Sequence, residues 1–453
     1  MSYDNAISQL LALGHELHGT QHKFELKYVR TLLAALGDPQ TRFRSVLIAG
    51  TNGKGSTAAT LASILTAAGH RTALYTSPHL LRPNERIRIN GGEISDEDFA
   101  RSWERVEAQA QQLLSTGGLP WHPSFFEMLT AMAFLYFAEA GVEIAVLEVG
   151  MGGRLDATNV VEPVLSIITD ISLDHQKFLG ETITEIAREK AGIMRPNGIV
   201  ITLPQHPEAN AVIGNTVLEL NARTISAVPY VPPVSPGAVA PAGPAQRNRY
   251  PLDVMGEQIM VDSPLPGRHQ LRNLALAIAA AEQLNAFGVH VTPRDIERGI
   301  AQTRWPGRFE AIPASDDDPE IVLDVAHNPA GAWALRSTLS ERYSDRPVTM
   351  VFGMLRDKAV AEVAQILLPV AKRVIATHAA NPRSATAADI RAAALRISSN
   401  IREENDVAAA VDRACAEARS DGDKAVVVIT GSIYIVGEAL ARLEERQRRH
   451  SQS

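Results

Sequence analysis

A glycine-rich loop that contains a lysine constrains the fold of this chain more than any other stretch. The loop occupies residues 50–56 and reads Gly-Thr-Asn-Gly-Lys-Gly-Ser. An apolar run, 45–49, precedes the loop, and an alanine-rich helical pattern, 57–68, follows it. Strand, glycine loop and helix in this order present backbone N–H groups to a phosphate, and the lysine adds a positive charge. The loop therefore predicts an α/β fold with a phosphate site.

The spacing of this loop departs from the strict Walker A pattern. Ile48 stands where that pattern has its first glycine, and Gly55 separates Lys54 from Ser56. A tight strand-to-helix turn without a ligand is the alternative interpretation. The Lys-Gly-Ser ending favours phosphate binding.

Strand and helix patterns alternate along the rest of the chain. Continuous apolar runs at 142–149 and 164–169 indicate strands of a parallel sheet that helices cover on both faces. The alternation resumes after residue 320, without a Gly-x-Gly-x-x-Gly fingerprint. We expect a P-loop-type, parallel-sheet α/β domain with the phosphate site over residues 1–305 and a smaller Rossmann-like α/β domain over 306–453. A proline- and alanine-rich stretch, 228–251, is predicted to be a surface insertion or a loose hairpin.

Composition narrows the classes of protein that this chain can be. The chain has 453 residues, with 44 Lys and Arg against 51 Asp and Glu, a net charge of −7 that gives no electrostatic case for nucleic acid. No apolar run approaches the ~20 residues that span a membrane. One cysteine, Cys415, excludes a disulfide framework and is predicted to be inert core packing rather than a nucleophile. The N-terminus lacks a secretory signal pattern, so we expect a cytoplasmic protein.

Polar residues follow two of the predicted strands in the first domain. Glu148 ends one strand and precedes a glycine turn, 150–153, and a carboxylate beside a phosphate site suits Mg²⁺. Asp170, Asp174 and His175 follow the next strand. A lone histidine on a loop is usually structural, and Mg²⁺ prefers oxygen ligands, so His175 stays open at this point.

Other candidate residues are less obvious from their positions. Lys190 lies in a predicted amphipathic helix, where a lysine is normally solvated. The stretch 324–329, Asp-Val-Ala-His-Asn-Pro, ends a strand of the second domain and could reach a nucleotide across an interdomain cleft. Asn273 could contact the base, and Arg308 could contact a phosphate or pair with a carboxylate. We expect an alanine-rich helix to follow residues 268–273.

Several stretches together resemble one family, the folylpolyglutamate synthase/dihydrofolate synthase family of the Mur ligase superfamily. No single stretch is specific, but the series in this order is. The matching stretches are residues 49–57, 77–80, 85–88, 148–159, 174–175, 179–180, 189–193, 269–273, 306–310, 324–329 and 431–434.

This resemblance implies an ATP-dependent ligase that adds L-glutamate to dihydropteroate or to the glutamate tail of a reduced folate. In such enzymes the substrate carboxylate takes the γ-phosphoryl group of ATP, and the amine of L-glutamate then attacks the acyl phosphate. Because the carboxylate and the triphosphate are both anionic, the site must neutralise charge. We expect ATP, two Mg²⁺ ions and small-molecule substrates, with no nucleic-acid or membrane partner, and a monomeric enzyme.

The resemblance also assigns roles to individual residues of this chain. The residues that it implies for nucleotide binding are Thr51, Asn52, Gly53, Lys54, Gly55, Ser56, Asn273, Arg308 and Asp324. Those implied for metal binding are Ser77, Glu148, His175 and Lys190, the last as an N-carboxylysine, and those implied for catalysis are Lys54, Lys190 and His327. Those implied for the pterin substrate are Ser124, Phe126, Leu155, Asp156 and Ala157.

Three rival interpretations remain at this point. A folylpolyglutamate synthase without the dihydrofolate synthase activity would use overlapping residues. A peptidoglycan Mur ligase would run the same chemistry on a UDP-linked peptide, although the stretch Ser77-Pro78-His79-Leu80 favours a folate. A nucleotide-dependent switch is a different class of protein. The presence of Lys54, Glu148, His175 and Lys190 together argues against it, because a switch needs no N-carboxylysine.

Overall fold

The computed structural model describes residues 1–14, 25–233, 247–315, 318–394, 397, 401–422 and 424–450. The chain forms two compact units. The first comprises Met1–Pro232, Tyr250–Val261 and Arg272–Thr303, and the second comprises Pro233–Arg249, Asp262–Leu271 and Arg304–Ser453.

Most elements of the chain lie before residue 304. The helices are α1 (Tyr3–Ala12), α2 (Leu26–Ala35), α3 (Lys54–Ala67), α4 (Asp96–Ser115), α5 (Phe125–Glu139), α6 (Gln176–Leu179), α7 (Ile183–Ala191), α8 (Pro207–Glu219), α9 (Arg268–Leu284) and α10 (Pro293–Gln302). The strands are β1 (Arg44–Ala49), β2 (Thr72–Tyr75), β3 (Ile87–Ile89), β4 (Gly92–Glu93), β5 (Ile144–Glu148), β6 (Leu165–Ile168), β7 (Ile199–Thr202), β8 (Arg223–Ser226), β9 (Asn248–Val254) and β10 (Glu257–Ser263).

The first unit is built on an eight-stranded sheet in the order β4-β3-β2-β5-β1-β6-β7-β8. The six strands from β2 to β8 in this order run parallel, and β3 and β4 add antiparallel pairs at one edge. Strand β1 lies between β5 and β6, with Leu47 opposite Leu147 and Ser166. Strands β9 and β10 form a separate two-stranded sheet.

The second unit contains a six-stranded sheet in the order β11-β12-β16-β13-β14-β15. Strand β11 is antiparallel to its neighbour and the other pairs are parallel. Its helices are α11 (Pro329–Arg342), α12 (Val360–Leu367), α13 (Ala387–Ala394), α14 (Val407–Arg419) and α15 (Ile433–His450). Its strands are β11 (Glu310–Ile312), β12 (Glu320–Asp324), β13 (Val348–Phe352), β14 (Arg373–Ala376), β15 (Ile401–Glu403) and β16 (Val426–Thr430).

The predicted α/β class with parallel sheets is confirmed. Strands β1 and β5 are buried along nearly their whole length, because helices cover both faces of the sheet. Thr182 and Glu185 form a capping box at the start of α7. Cys415 is fully buried in α14, and burial raises the pKa of its thiol to about 12, which agrees with inert packing. No helix in the described ranges has both the length and the apolarity to cross a bilayer.

Two predictions from the sequence were wrong in detail. Helix α9 begins at Arg268 and not after Asn273, because polar residues fill its first turns and hide the apolar period. Helix α3 begins at Lys54 rather than at Thr57, so the loop before it is shorter than expected. In the proline-rich stretch 228–251, residues 234–246 lie outside the described residues. Its described ends are a 3₁₀ turn at Val228–Tyr230 and the start of β9.

The position of β1 at the centre of its sheet gives a test of the fold. Leu47 is 0% exposed, so Leu47→Ala should lower the free energy of unfolding by about 2–5 kcal/mol, through lost burial and a residual cavity. Leu218 is 81% exposed, and Leu218→Ala should change the same quantity by less than about 0.5 kcal/mol. Urea denaturation followed by circular dichroism measures both, and equal effects would contradict the placement of β1.

Candidate active site

The carboxyl ends of β1, β5 and β6 lie side by side because the three strands are parallel neighbours. The glycine loop follows β1, Glu148 is the last residue of β5, and Asp170 comes shortly after β6. The backbone N–H groups of Thr51 and Asn52 donate to the Asp170 carbonyl oxygen at 2.8 and 3.2 Å. The phosphate loop is therefore attached to the β6 loop, at the edge where open α/β sheets bind ligands.

Two glycines of the loop lie too close to neighbours for any side chain. A Cβ at Gly50 would stand 1.8 Å from the Thr169 hydroxyl oxygen. A Cβ at Gly53 would stand 2.2 Å from the Asn273 side-chain oxygen, and Gly53 has φ +87°, where glycine is favoured. Gly53 therefore lets the loop pass directly against the Asn273 carboxamide.

The N-terminus of α3 is the part of the loop that can receive phosphate. Because Gly53 is the N-cap, no side chain caps this helix, and its first N–H groups are left for a ligand. Gly55 and Ser56, in the first turn, are buried. The N–H groups of Thr51 and Asn52 are bonded to Asp170, so the N–H donors for phosphate come from Gly53 onward.

The side chains of Thr51 and Asn52 also face the β6 loop. The Thr51 hydroxyl donates to the Ser172 carbonyl oxygen at 2.9 Å and accepts from the Ser172 N–H at 3.1 Å. The Asn52 amide donates to the Ser172 hydroxyl at 3.1 Å. In this structure both side chains fix the loop.

Two lysines meet at the phosphate loop. Lys190 Nζ donates to the Gly50 carbonyl oxygen at 2.7 Å, and Lys54 Nζ donates to the Thr51 carbonyl oxygen at 3.3 Å. Lys190 is 3% exposed, so the sequence-based view of a solvated helix face was wrong for it. The C-terminal end of α7, which carries Lys190, therefore lies against the phosphate loop.

The charge of Lys190 is reduced by its surroundings. Burial, together with the positive charge of Lys54, lowers the pKa of Lys190 to about 7, against the opposing effect of Asp174 and Asp156. A large fraction of its amine is therefore neutral near neutral pH. A neutral amine is a nucleophile, whereas an ammonium is not.

Glu148 and Ser77 are neighbours across β5 and β2. Glu148 is 4% exposed, and its Oε2 accepts the Ser77 N–H at 3.1 Å. His175 has φ +50°, its N–H donates to Asp174 Oδ1 at 2.8 Å, and its ring is partly exposed. Strand order therefore brings Glu148 beside Ser77, while His175 and Asp174 occupy the β6 loop.

Glu148, Ser77 and His175 are the donors that this part of the site offers to Mg²⁺. In the described ranges, no three His, Cys, Asp or Glu side chains form a group that could hold a metal ion. Mg²⁺ in phosphoryl-transfer sites commonly uses one or two carboxylates together with phosphate oxygens and waters. Glu148 with the Ser77 hydroxyl fits that requirement once a nucleotide supplies phosphate, and the His175 imidazole is the less usual ligand.

Two of the predicted pterin residues, Phe126 and Asp156, meet at the turn after β5. A Cβ at Gly150 would lie 2.7 Å from the Phe126 ring and 3.3 Å from Asp156 Oδ2, so Phe126 and Asp156 flank the same glycine. Ser124 caps α5, in a capping box with Glu127. Leu155 is partly exposed and Ala157 is buried.

Asp156 is anchored by its own turn. Its Oδ2 accepts the Met151 N–H at 3.0 Å, and its Oδ1 accepts from the Thr158 N–H and hydroxyl at 3.0 and 2.6 Å. Burial raises the pKa of Asp156, and these hydrogen bonds oppose the rise. The carboxylate is thus fixed in orientation beside the Phe126 ring.

The second unit holds its own cluster of predicted residues. Asp324, at the end of β12, accepts the Phe309 and Ala326 N–H groups, each at 2.9 Å. Burial raises its pKa, and the positive charge of Arg308 and then that of His327 oppose the rise. His327 Nδ1 lies 3.0 Å from the Val325 carbonyl oxygen, so Nδ1 carries a proton. Arg308, Asp324 and His327 are therefore brought together.

Sequence reasoning missed one part of this site. Asp170 is held by Arg272, with the closest contact at 2.6 Å between Nη2 and Oδ1. The two residues are 102 positions apart. No sequence pattern relates residues this far apart. The sequence showed only that Asp170 is a polar residue that follows a predicted strand.

Comparison with known proteins identifies the family of this chain. The Mur ligase middle domain matches residues 108–281, and the Mur ligase glutamate ligase domain matches residues 307–433. The Bacillus subtilis dihydrofolate synthase/folylpolyglutamate synthase is 35% identical over 92% of this chain and 94% of its own length.

Solved structures show the same fold. The Mycobacterium tuberculosis folylpolyglutamate synthase complexed with ADP and AMPPCP has a TM-score of 0.81 and 33% identity, over 96% of this chain and 98% of that one. The Escherichia coli FolC in complex with DHPP and ADP has a TM-score of 0.80 and 31% identity, over 99% of each.

The two α/β units and the phosphate loop beside a buried lysine define an ATP-dependent ligase of the Mur type. Within that class, the chain belongs to the dihydrofolate synthase/folylpolyglutamate synthase family.

The Gly53–Asn273 contact gives a test of the site. Gly53→Ala should weaken ADP binding by more than about tenfold, because the added methyl must displace Asn273 and reshape the loop. Gly69 has a similar φ, +90°, with nothing within 4 Å of an added Cβ. Gly69→Ala should cost only about 1 kcal/mol of stability and leave ADP binding unchanged. Calorimetric titration compares the two, and equal ADP affinities would contradict the site.

Proposed function

We propose that this ligase joins L-glutamate to dihydropteroate, forming dihydrofolate, and also to the glutamate tail of tetrahydrofolate. The observation that carries the proposal is the buried Lys190 amine, bonded to Gly50 of the phosphate loop at 2.7 Å. The negative charge of Asp156 also acts on the pKa of this lysine, and Asp156 lies in the turn that we propose as the pterin site. A phosphate site and a site for a flat polar ring thus lie near one lysine.

The proposed reaction has two steps. A carboxylate oxygen of the folate substrate attacks the γ-phosphorus of ATP, the bond to the β-phosphate oxygen breaks, and ADP leaves. The amine of L-glutamate then attacks the acyl carbon, an amide bond forms, and phosphate leaves with the former carboxylate oxygen. Lys54 and the first N–H groups of α3 stabilise the charge on the transferred group.

Lys190 is proposed to act as an N-carboxylysine. Its neutral amine adds to CO₂ and loses a proton, and this turns a buried cation into an anion at the phosphate loop. Bound Mg²⁺ supplies charge neutralisation for the triphosphate and the attacking carboxylate. Glu148, Ser77 and His175 would hold one ion, and the Lys190 carbamate would serve a second.

The nucleotide and substrate residues complete the proposal. Asn273 lies against the phosphate loop and is proposed to contact the nucleotide as well. Arg308, Asp324 and His327 are proposed as further nucleotide-binding residues. Phe126 and Asp156 offer a ring face and a fixed carboxylate, which suit a pterin. Ser124, Leu155 and Ala157, which are close to these two residues in the sequence, are proposed to complete the pterin site.

The domain limits 1–305 and 306–453, a monomeric state and a cytoplasmic location also remain proposals. The location is supported by the single buried thiol of Cys415.

The two activities are tested by separate assays. We expect L-glutamate-dependent phosphate release with dihydropteroate and, independently, with tetrahydrofolate. The relatives from Bacillus subtilis and Escherichia coli carry both activities in their names, whereas the one from Lacticaseibacillus casei is named folylpolyglutamate synthase. Release with tetrahydrofolate alone would reduce the proposal to the second activity, and release with neither would refute it.

The pterin site is tested by a matched pair of variants in α5. Phe126→Leu should raise the KM for dihydropteroate about tenfold, since a ring face is lost, with the KM for ATP unchanged. Phe134 is 0% exposed in the core of the same helix, so Phe134→Leu should lower stability without changing either KM. Steady-state kinetics with both substrates distinguish these outcomes, and an unchanged dihydropteroate KM in Phe126→Leu would argue against the site.

The carbamate is tested by ¹³C NMR with labelled bicarbonate. At constant dissolved CO₂, a carbamate signal should grow between about pH 6 and about pH 8, because the neutral fraction of an amine with pKa about 7 rises in that window. Lys190→Met should abolish the signal and lower kcat by about 10²- to 10³-fold. Lys177→Met, at an exposed lysine, should retain both. A signal that survives in Lys190→Met would contradict the assignment.

A further inference from the structure

Arg272, in the second turn of α9, binds Asp170, whose main chain is hydrogen-bonded to the phosphate loop. Arg272 Nε lies 3.1 Å from each carboxylate oxygen of Asp170, and its Nη2 lies 2.6 Å from Oδ1. The same Nη2 donates to the Pro204 carbonyl oxygen at 2.9 Å. The planar guanidinium therefore fixes both the position and the orientation of Asp170.

Asp170 transmits that constraint to the loop through its main chain. Its carbonyl oxygen accepts the N–H groups of Thr51 and Asn52, at 2.8 and 3.2 Å. Gln205 holds the same segment from the other side, because its amide donates to the Thr169 carbonyl oxygen at 3.0 Å and accepts the Ile171 N–H at 3.0 Å. A shift of Asp170 would therefore shift the residues that lead into the N-terminus of α3.

The residue after Arg272 contacts the next part of the same loop. The Asn273 carboxamide lies against Gly53, where a Cβ would be only 2.2 Å from its oxygen. The Asn273 carbonyl oxygen also accepts the Thr57 hydroxyl at 3.5 Å. Two successive residues of α9 thus constrain the phosphate loop, one through Asp170 and the other directly.

We propose that Arg272 is a positioning residue for the triphosphate of ATP, acting through Asp170. The inference rests on the proposed use of ATP. Arg272 sets the loop so that the N–H groups at the start of α3 meet the phosphates, and it does so without touching the nucleotide.

The solvent exposure of Arg272 and Asp170 distinguishes a positioning role for Arg272 from a role in the stability of the whole unit. The Arg272 side chain is 33% exposed and that of Asp170 is 40% exposed. Solvent-exposed ion pairs contribute little to global stability. Loss of Arg272 should therefore alter the loop much more than the stability of the whole unit.

The experiment measures ADP affinity by calorimetry in the full chain. Arg272→Met should weaken ADP binding about tenfold, and Arg272→Lys, which keeps the charge but lacks the planar fork, should give a smaller loss. Asp170→Asn should weaken binding similarly, and the double variant should be no weaker than the worse single variant, because both act through one contact. The KM for L-glutamate should not change in any of them.

Arg105, which pairs with Glu139 between α4 and α5, provides the matched control. Arg105→Met should leave ADP affinity unchanged. Unchanged ADP affinity in Arg272→Met or Arg272→Lys, with or without a lower Tm, would overturn the proposal. Additive losses in the double variant would overturn it too, since Arg272 would then contact the nucleotide itself. Absence of ADP binding by the wild type would instead refute the proposed function, and with it the ground for this inference.

Discussion

The parallel pairing of β1 with β5 and β6 is the constraint on which the site depends. Because three parallel neighbours end at one edge, the glycine loop, Glu148 and Asp170 are brought together from positions far apart in the chain. Gly50 then packs closely against Thr169, and Gly53 packs closely against Asn273. These two contacts restrict the conformation of the loop. The positions of the loop, Glu148 and Asp170 thus follow from the order of the strands and from the two glycines.

Lys190 shows how this packing changes chemistry. On a solvated helix it would remain an ammonium ion, but α7 inserts it beneath the loop, where burial and Lys54 lower its pKa to about 7. We propose that the amine then takes up CO₂, which replaces a positive charge with a negative one. A site that handles two anionic reactants gains from that exchange, because an anion can retain a metal where a cation would repel it.

Much of this was predictable from sequence, and the remainder has a physical explanation. Buried strands with continuous apolar runs, such as β5 and β6, were identified because both of their faces are covered. Short edge strands such as β8 and β15 carry no such pattern and were missed. Within the site, motifs indicated the loop and Glu148, whereas the burial of Lys190 and the Arg272–Asp170 pair depend on tertiary contacts that no local pattern encodes.

The central claim is that this chain activates a folate carboxylate by phosphorylating it. Dihydropteroate labelled with ¹⁸O in its carboxylate tests the claim directly, because the bridging oxygen of an acyl phosphate leaves with the phosphate. We predict that, after turnover with ATP and L-glutamate, one ¹⁸O appears in each inorganic phosphate released, as measured by mass spectrometry. Phosphate free of ¹⁸O, formed together with the amide product, would contradict the account.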